Sequence, residues 1–96
     1  MKHAIQIVAL VLGLTTLPAQ AACYADYKAK KDNPLKLHYG VMQIPNSACS
    51  SPSAAAKAIA PRLAAAGWTL LNIVSLFGDD GLQGRQANAG PYFLRF

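Results

Sequence analysis

The chain has 96 residues, nine Lys/Arg against four acidic residues, two cysteines and no glutamate. That length allows one small domain and no more. The poverty in carboxylates and histidines argues against acid–base or metal-assisted catalysis.

Residues 1–21 read as a secretory signal peptide. Lys2 and His3 open it, Ala4 to Leu17 is an uncharged apolar run of 14 residues, Pro18 ends the run, and Ala19-Gln20-Ala21 is a small-x-small cleavage site. The run is short of the ~20 residues that a membrane-spanning helix needs. A lipoprotein is the competing reading, because Cys23 follows closely, but Gln20 stands where a lipidation site wants a leucine-like residue. Cleavage after Ala21 leaves 75 residues, with eight Lys/Arg against four Asp, a net charge of +4, and His38 as the one histidine. Outside the cytoplasm Cys23 and Cys49 are expected to form a disulfide. Closing that loop restricts the unfolded chain by ~3–3.5 kcal/mol. The spacing is far from the C-x-x-C of a redox pair.

Residues 22–36 form a basic N-terminal segment with Lys28, Lys30, Lys31 and Lys36, in which Tyr24 and Tyr27 would share a face if it were helical. Asn33-Pro34 ends it. Leu37 to Ile44 reads as a first strand bounded by Pro34 and Pro45, with Gly40 as a bulge candidate; neither alternating face is cleanly polar. Pro45 to Ser51 is a loop. Ser51-Pro52 then supplies an N-cap and a first-turn proline for a helix running to Ala66. Ala56, Ile59, Leu63 and Ala66 mark its buried stripe, and Pro61 predicts a kink.

Gly67 fits the position just past the helix, where a left-handed conformation ends it cheaply. Trp68 to Phe77 is the strongest strand signal, apolar on both faces, as in a strand covered on two sides. Trp68 itself reads as a peg between helix and sheet rather than an exposed ligand platform, since a ring at that corner buries ~150–250 Å². Residues 78–90 carry four glycines and read as a loop. Tyr92 to Phe96 is a last strand. The expected domain, 37–96, is therefore α+β: a small three-stranded β-α-β-β sheet with one helix packed on one face and the N-terminal segment stapled by the disulfide. A crossover through the helix makes strands 37–44 and 68–77 parallel, with the last strand antiparallel and free to lie between them.

Tyr39-Gly40-Val41-Met42-Gln43-Ile44, a helix ending in Gly67-Trp68, the strand Thr69 to Val74, and the closing Tyr92 to Phe96 resemble a family of small bacterial domains of unknown function. Its pattern is strand, helix, Gly-Trp, strand, strand. Small exported Gram-negative proteins of unknown function are similar too. Thr69 stands where the family has an acidic residue, and the loops at 45–51 and 78–90 are longer. A weaker similarity joins Tyr39–Ser75 to half of the sporulation-related peptidoglycan-binding repeat, without its duplicate. The resemblance implies a fold and no activity.

No catalytic, cofactor or metal site is expected. His38 reads as a surface or edge residue, and Asp79-Asp80 as turn-formers that lack the spaced ligands of a calcium loop. Arg85, among glycines, is an anion-site candidate. Lys28, Lys30, Lys31, Lys36 and Arg85 form the expected anion or partner patch. The expected role is a non-catalytic periplasmic or secreted domain that binds a protein or self-associates as a homodimer, because one helix covers only one face of strand 68–77. The alternatives are a basic binder of peptidoglycan or anionic lipid, and an inhibitor of an extracytoplasmic enzyme. Nucleic acid is not an expected partner of an exported chain, and no transmembrane segment is expected after signal cleavage.

Overall fold

The computed structural model describes residues 22–96; the expected signal peptide lies outside the described residues. Three strands form one antiparallel sheet: β1 (Cys23–Lys31), β2 (Lys36–Ile44) and β3 (Thr69–Phe77), in the order β2-β1-β3. Between β2 and β3 runs helix α1 (Pro52–Ala65), and after β3 comes a short helix α2 (Gln83–Ala89). The protein is thus α+β, with one main helix on one face of a three-stranded sheet and a Cys23–Cys49 disulfide.

The element order is β-β-α-β, however, because the third strand is the basic N-terminal segment and not Tyr92–Phe96. β2 and β3 are both antiparallel to β1 and so run parallel to each other with a strand inserted between them. Within the sheet, the inserted strand is the N-terminal segment and not the expected last strand. Residues 92–96 instead turn through a 3-10 segment, Gly90–Tyr92, and touch the outer edge of β2 by one parallel bridge, Val41 to Phe93, and one bond from Leu94 N–H to the Val41 carbonyl at 2.9 Å. Leu94 has φ 55°, a left-handed conformation that costs a branched residue energy and takes the chain out of strand geometry.

β1 is a strand because its side chains alternate. Cys23, Ala25, Tyr27 and Ala29 face α1, while Tyr24, Asp26, Lys28 and Lys30 face the other way. Small alanines let α1 approach the centre of the sheet. Ala55, Ile59 and Leu63 form its buried stripe, one residue off the expected Ala56 at the start, and Ala66 is exposed. Met42, Ile44 and Trp68 complete the layer.

The helix ends are built as the local sequence dictates. Ser51 Oγ accepts from Ala54 N–H at 3.0 Å. At the other end Trp68 N–H reaches the Leu63 carbonyl (2.9 Å) and Gly67 N–H the Ala64 carbonyl (3.0 Å), with Gly67 at φ 85°. These are the two bonds of a Schellman motif. The helix continues unbroken through Pro61, which is exposed.

The doubly apolar β3 has two causes. It carries two bulges against β1, where Leu71 and Val74 are extra residues without a partner. Leu70, Ile73 and Leu76 therefore meet the α1 layer at a spacing of three instead of two. On the opposite face α2 lies mainly over β2 and reaches β3 at its Phe77 end: Ala89, with Leu82 and Phe93, packs on Tyr24, Val41, Tyr39 and Phe77, while Leu71 and Val74 of β3 stay half exposed.

Candidate functional site

Two buried polar centres lie on opposite faces of the sheet. On the α2 face, Asp26 of β1 is 3% exposed. Its carboxylate accepts from Tyr39 Oη of β2 (2.7 Å), Ser75 Oγ of β3 (2.6 Å) and Arg85 Nε of α2 (3.0 Å). All three strands and the short helix meet at this one side chain. Burial pushes its pKa up, but the hydrogen bonds from Ser75, Tyr39 and Arg85, with the Arg85 charge, outweigh burial and hold it below the usual carboxylate value. Burial and the bond to Asp26 push the Tyr39 phenol up to about 12.

Arg85 also donates Nη1 to the Gly81 carbonyl at 2.8 Å, and its guanidinium lies 3.9 Å from the Phe77 ring centroid. A Cβ on Gly81 would stand 2.7 Å from both Arg85 Nη1 and Phe77. The arginine is thus spent inside the fold, pinning the glycine-rich segment as a helix.

On the α1 face, His38 is 8% exposed, against the expectation of a surface or edge residue. β2 is an edge strand, yet this side chain points inward. Its ring stacks on Tyr92 (centroids 3.8 Å, 13°) and meets Trp68 edge-on at 4.3 Å, with Phe96 at 6.0 Å. Nε2 shares a 3.0 Å hydrogen bond with the Tyr27 hydroxyl, and Nδ1 is buried with no hydrogen bond among the described residues. Burial, then Arg95 and Lys31, lower the imidazole pKa. Burial and Tyr92 raise the Tyr27 phenol to about 12.

Trp68 is buried at the helix–sheet corner, with Lys31 Nζ 4.6 Å from its ring centroid. It belongs to an aromatic cluster whose members, Tyr27, His38, Tyr92 and Phe96, are scattered along the sequence. Gly40 was the one local sign of this cluster. Tyr27 crosses over it, and a Cβ there would overlap the Tyr27 hydroxyl and stand 2.6 Å from Cζ.

These centres do not combine into catalytic machinery. Ser75 and Asp26 face α2 while His38 faces α1, so the sheet separates nucleophile from base. A carboxylate held below its normal pKa is also a weak base for a serine. Asp79 accepts from Tyr24 at 2.9 Å, which raises the Tyr24 phenol through that bond, then burial and the carboxylate charge. Among the described residues no group of three or more His, Cys, Asp or Glu could hold a metal ion.

The remaining sequence candidates come together at one end of the molecule. Lys28, Lys30, Lys31 and Lys36 lie at the turn end of the β1–β2 hairpin, where Lys31 pairs with Lys36. Asp32 is the one acid there, 3.6 Å from Lys30. Arg85 is not part of that group. Leu35 (63% exposed), Leu37 (67%) and Leu71 (49%) stand among the lysines. Leu37 pairs across the sheet with Lys30, and Lys28 with Tyr39. Lys28, Leu37, Tyr39 and Leu71 line a groove of about 290 Å³ on the part of the α2 face that α2 leaves open. A wider depression of about 420 Å³ beside Gln43, Pro45 and Phe96 offers one cation, Arg62, already donated to the Gln43 carbonyl at 2.8 Å.

Compared with protein-family models, curated proteins and solved structures, the chain matches none. The disulfide takes up both cysteines of this small domain, which is compatible with an oxidising compartment. No helix among the described residues is long and apolar enough to cross a membrane.

Proposed function

We propose that this is a non-catalytic exported domain, periplasmic or secreted, that binds an anionic component of the cell envelope through the turn end of its β1–β2 hairpin. The observation that carries the reading is segregation. Lys28, Lys30, Lys31 and Lys36 stand at that end with three exposed leucines and a single acid, Asp32, while Asp79 and Asp80 lie beyond the far end of β3 and Asp26 is buried and paired. A patch that is both cationic and apolar is a binding surface rather than a solvated face. The non-catalytic part is supported by His38 and Asp26, the groups a catalyst would recruit, being enclosed in packing. Self-association through β3 has less apolar surface to use at the Phe77 end, which packs against α2, while Leu71 and Val74 remain half exposed.

Pelleting of the protein with isolated cell envelopes, at low and high ionic strength, tests the proposal. Retention that falls with salt and is lost in Lys28→Ser/Lys30→Ser/Lys36→Ser is expected. Equal retention of the triple variant, or none by the wild type, would contradict it.

A further inference from the structure

We infer that the envelope component is an anionic phospholipid bilayer, met with Leu35 and Leu37 entering the headgroup region between the lysines. This rests on the binding surface proposed above and narrows its ligand. Two features must be satisfied together. The lysines ask for a negatively charged partner, and the juxtamembrane attraction of basic residues for anionic lipid falls off within a Debye length, so they must lie at the contact. Leu35 and Leu37, the two most exposed large hydrophobic residues among those described, ask for an apolar one. An acidic polysaccharide would engage the lysines and leave both leucines in water. An anionic bilayer takes both, because its charge and its hydrocarbon are a few ångströms apart.

The geometry suits an edge-on approach. The four-residue turn between Lys31 and Lys36 projects Leu35 from the end of the hairpin, and Leu37 follows on the open sheet face beside Lys28 and Leu71. Asp79 and Asp80, beyond the opposite end of β3, would be held away from the surface. The resulting charge asymmetry orients the molecule with the hairpin turn toward the lipid. Cys23 is in the disulfide, so this contact is made by folded surface and not by a lipid on that sulfur.

The test uses vesicles of phosphatidylglycerol and phosphatidylcholine in equal parts, vesicles of phosphatidylcholine alone, purified sacculi, and a Leu37→Trp variant as reporter. The native Trp68 is buried and gives a constant background. The expected result is binding to the anionic vesicles only, a blue shift of the added tryptophan, and its quenching by brominated acyl chains. Lys28→Ser/Lys30→Ser/Lys36→Ser should weaken partitioning about 100-fold and Leu37→Ser about tenfold, both with unchanged circular dichroism. Salt-sensitive binding to sacculi without vesicle binding would overturn the bilayer and leave the envelope reading standing. So would retention on whole envelopes with binding to neither probe, which is the pattern of a protein partner. Vesicle binding with an unshifted tryptophan would overturn insertion of the leucines. No retention on envelopes, vesicles or sacculi would overturn both.

Discussion

Tyr27 and Gly40 are one device. The tyrosine crosses its neighbouring strand to reach His38, and only a residue without a side chain leaves room at the paired position. Gly40→Ala should cost about 1–3 kcal/mol, the usual penalty for overfilling a packed site. In a Tyr27→Ala background the same substitution should be neutral or better, and urea midpoints for the four variants measure the coupling. His38 and Asp26 set the acid limb of stability. The folded pKa of His38 is below its ordinary value, so the unfolded chain takes up the proton first. Stability is full above about pH 6.5 and falls as pH drops from there through the lowered folded value. Asp26 is likewise depressed. Its contribution is present above about pH 4 and is lost only as pH falls through its own folded value. Melting temperatures between pH 7 and pH 3 should therefore decline in two stages, and His38→Phe should remove the upper stage alone. A single decline near pH 4 in the wild type would contradict the burial of His38 as a neutral ring.

Among the elements, α1 and its ends were the most legible, because caps are local chemistry. Ser51-Pro52 and Gly67 act within a turn of themselves. β1 was legible in principle, since Cys23, Ala25, Tyr27 and Ala29 alternate with polar partners, but lysines and alanines conceal a strand whose burial comes from its central place in the sheet. The end of the chain misled in the opposite sense. Tyr92, Leu94 and Phe96 alternate, yet the edge of β2 accepts one bridge, and the aromatic rings go instead to His38. Four glycines hid α2, a helix held by Arg85 on Asp26 and by buried Ala89 rather than by propensity. The spacing of three in β3 follows from bulges that no alternation rule anticipates. Pro61 is the one clear flaw of local design that the fold absorbs. It lies on the exposed side of α1 and leaves the Lys57 carbonyl without its helical donor. Pro61→Ala should raise stability by about 2–2.5 kcal/mol, the helix gain of ~3 kcal/mol being partly offset by a freer unfolded chain. A loss of stability on chemical denaturation would show that the proline fits the helix better than its chemistry allows.

At the scale of the whole molecule, the candidate residues divided into two groups that the sequence could not separate. Arg85 and Lys28 look alike as surface cations in a list of residues, but one is tied to a buried carboxylate and the other stands in the open beside Leu37 and Leu71. The lysine cluster was readable from spacing alone, whereas its leucines became part of a surface only when the hairpin folded and the bulge turned Leu71 outward. On the proposed reading the fold has a binding end and a closed end. The Lys31–Lys36 turn presents charge and apolar surface together; the Cys23 end is shut by the disulfide, by Tyr24 on Asp79 and by Phe77 under Arg85. Amide line broadening of the isotope-labelled protein, with envelope fragments added well below stoichiometry, tests this division most directly. Broadening confined to residues 28–37 and 69–72, with 78–90 unaffected, is the result expected. Broadening centred on residues 78–90, or on the depression beside Arg62, would contradict it.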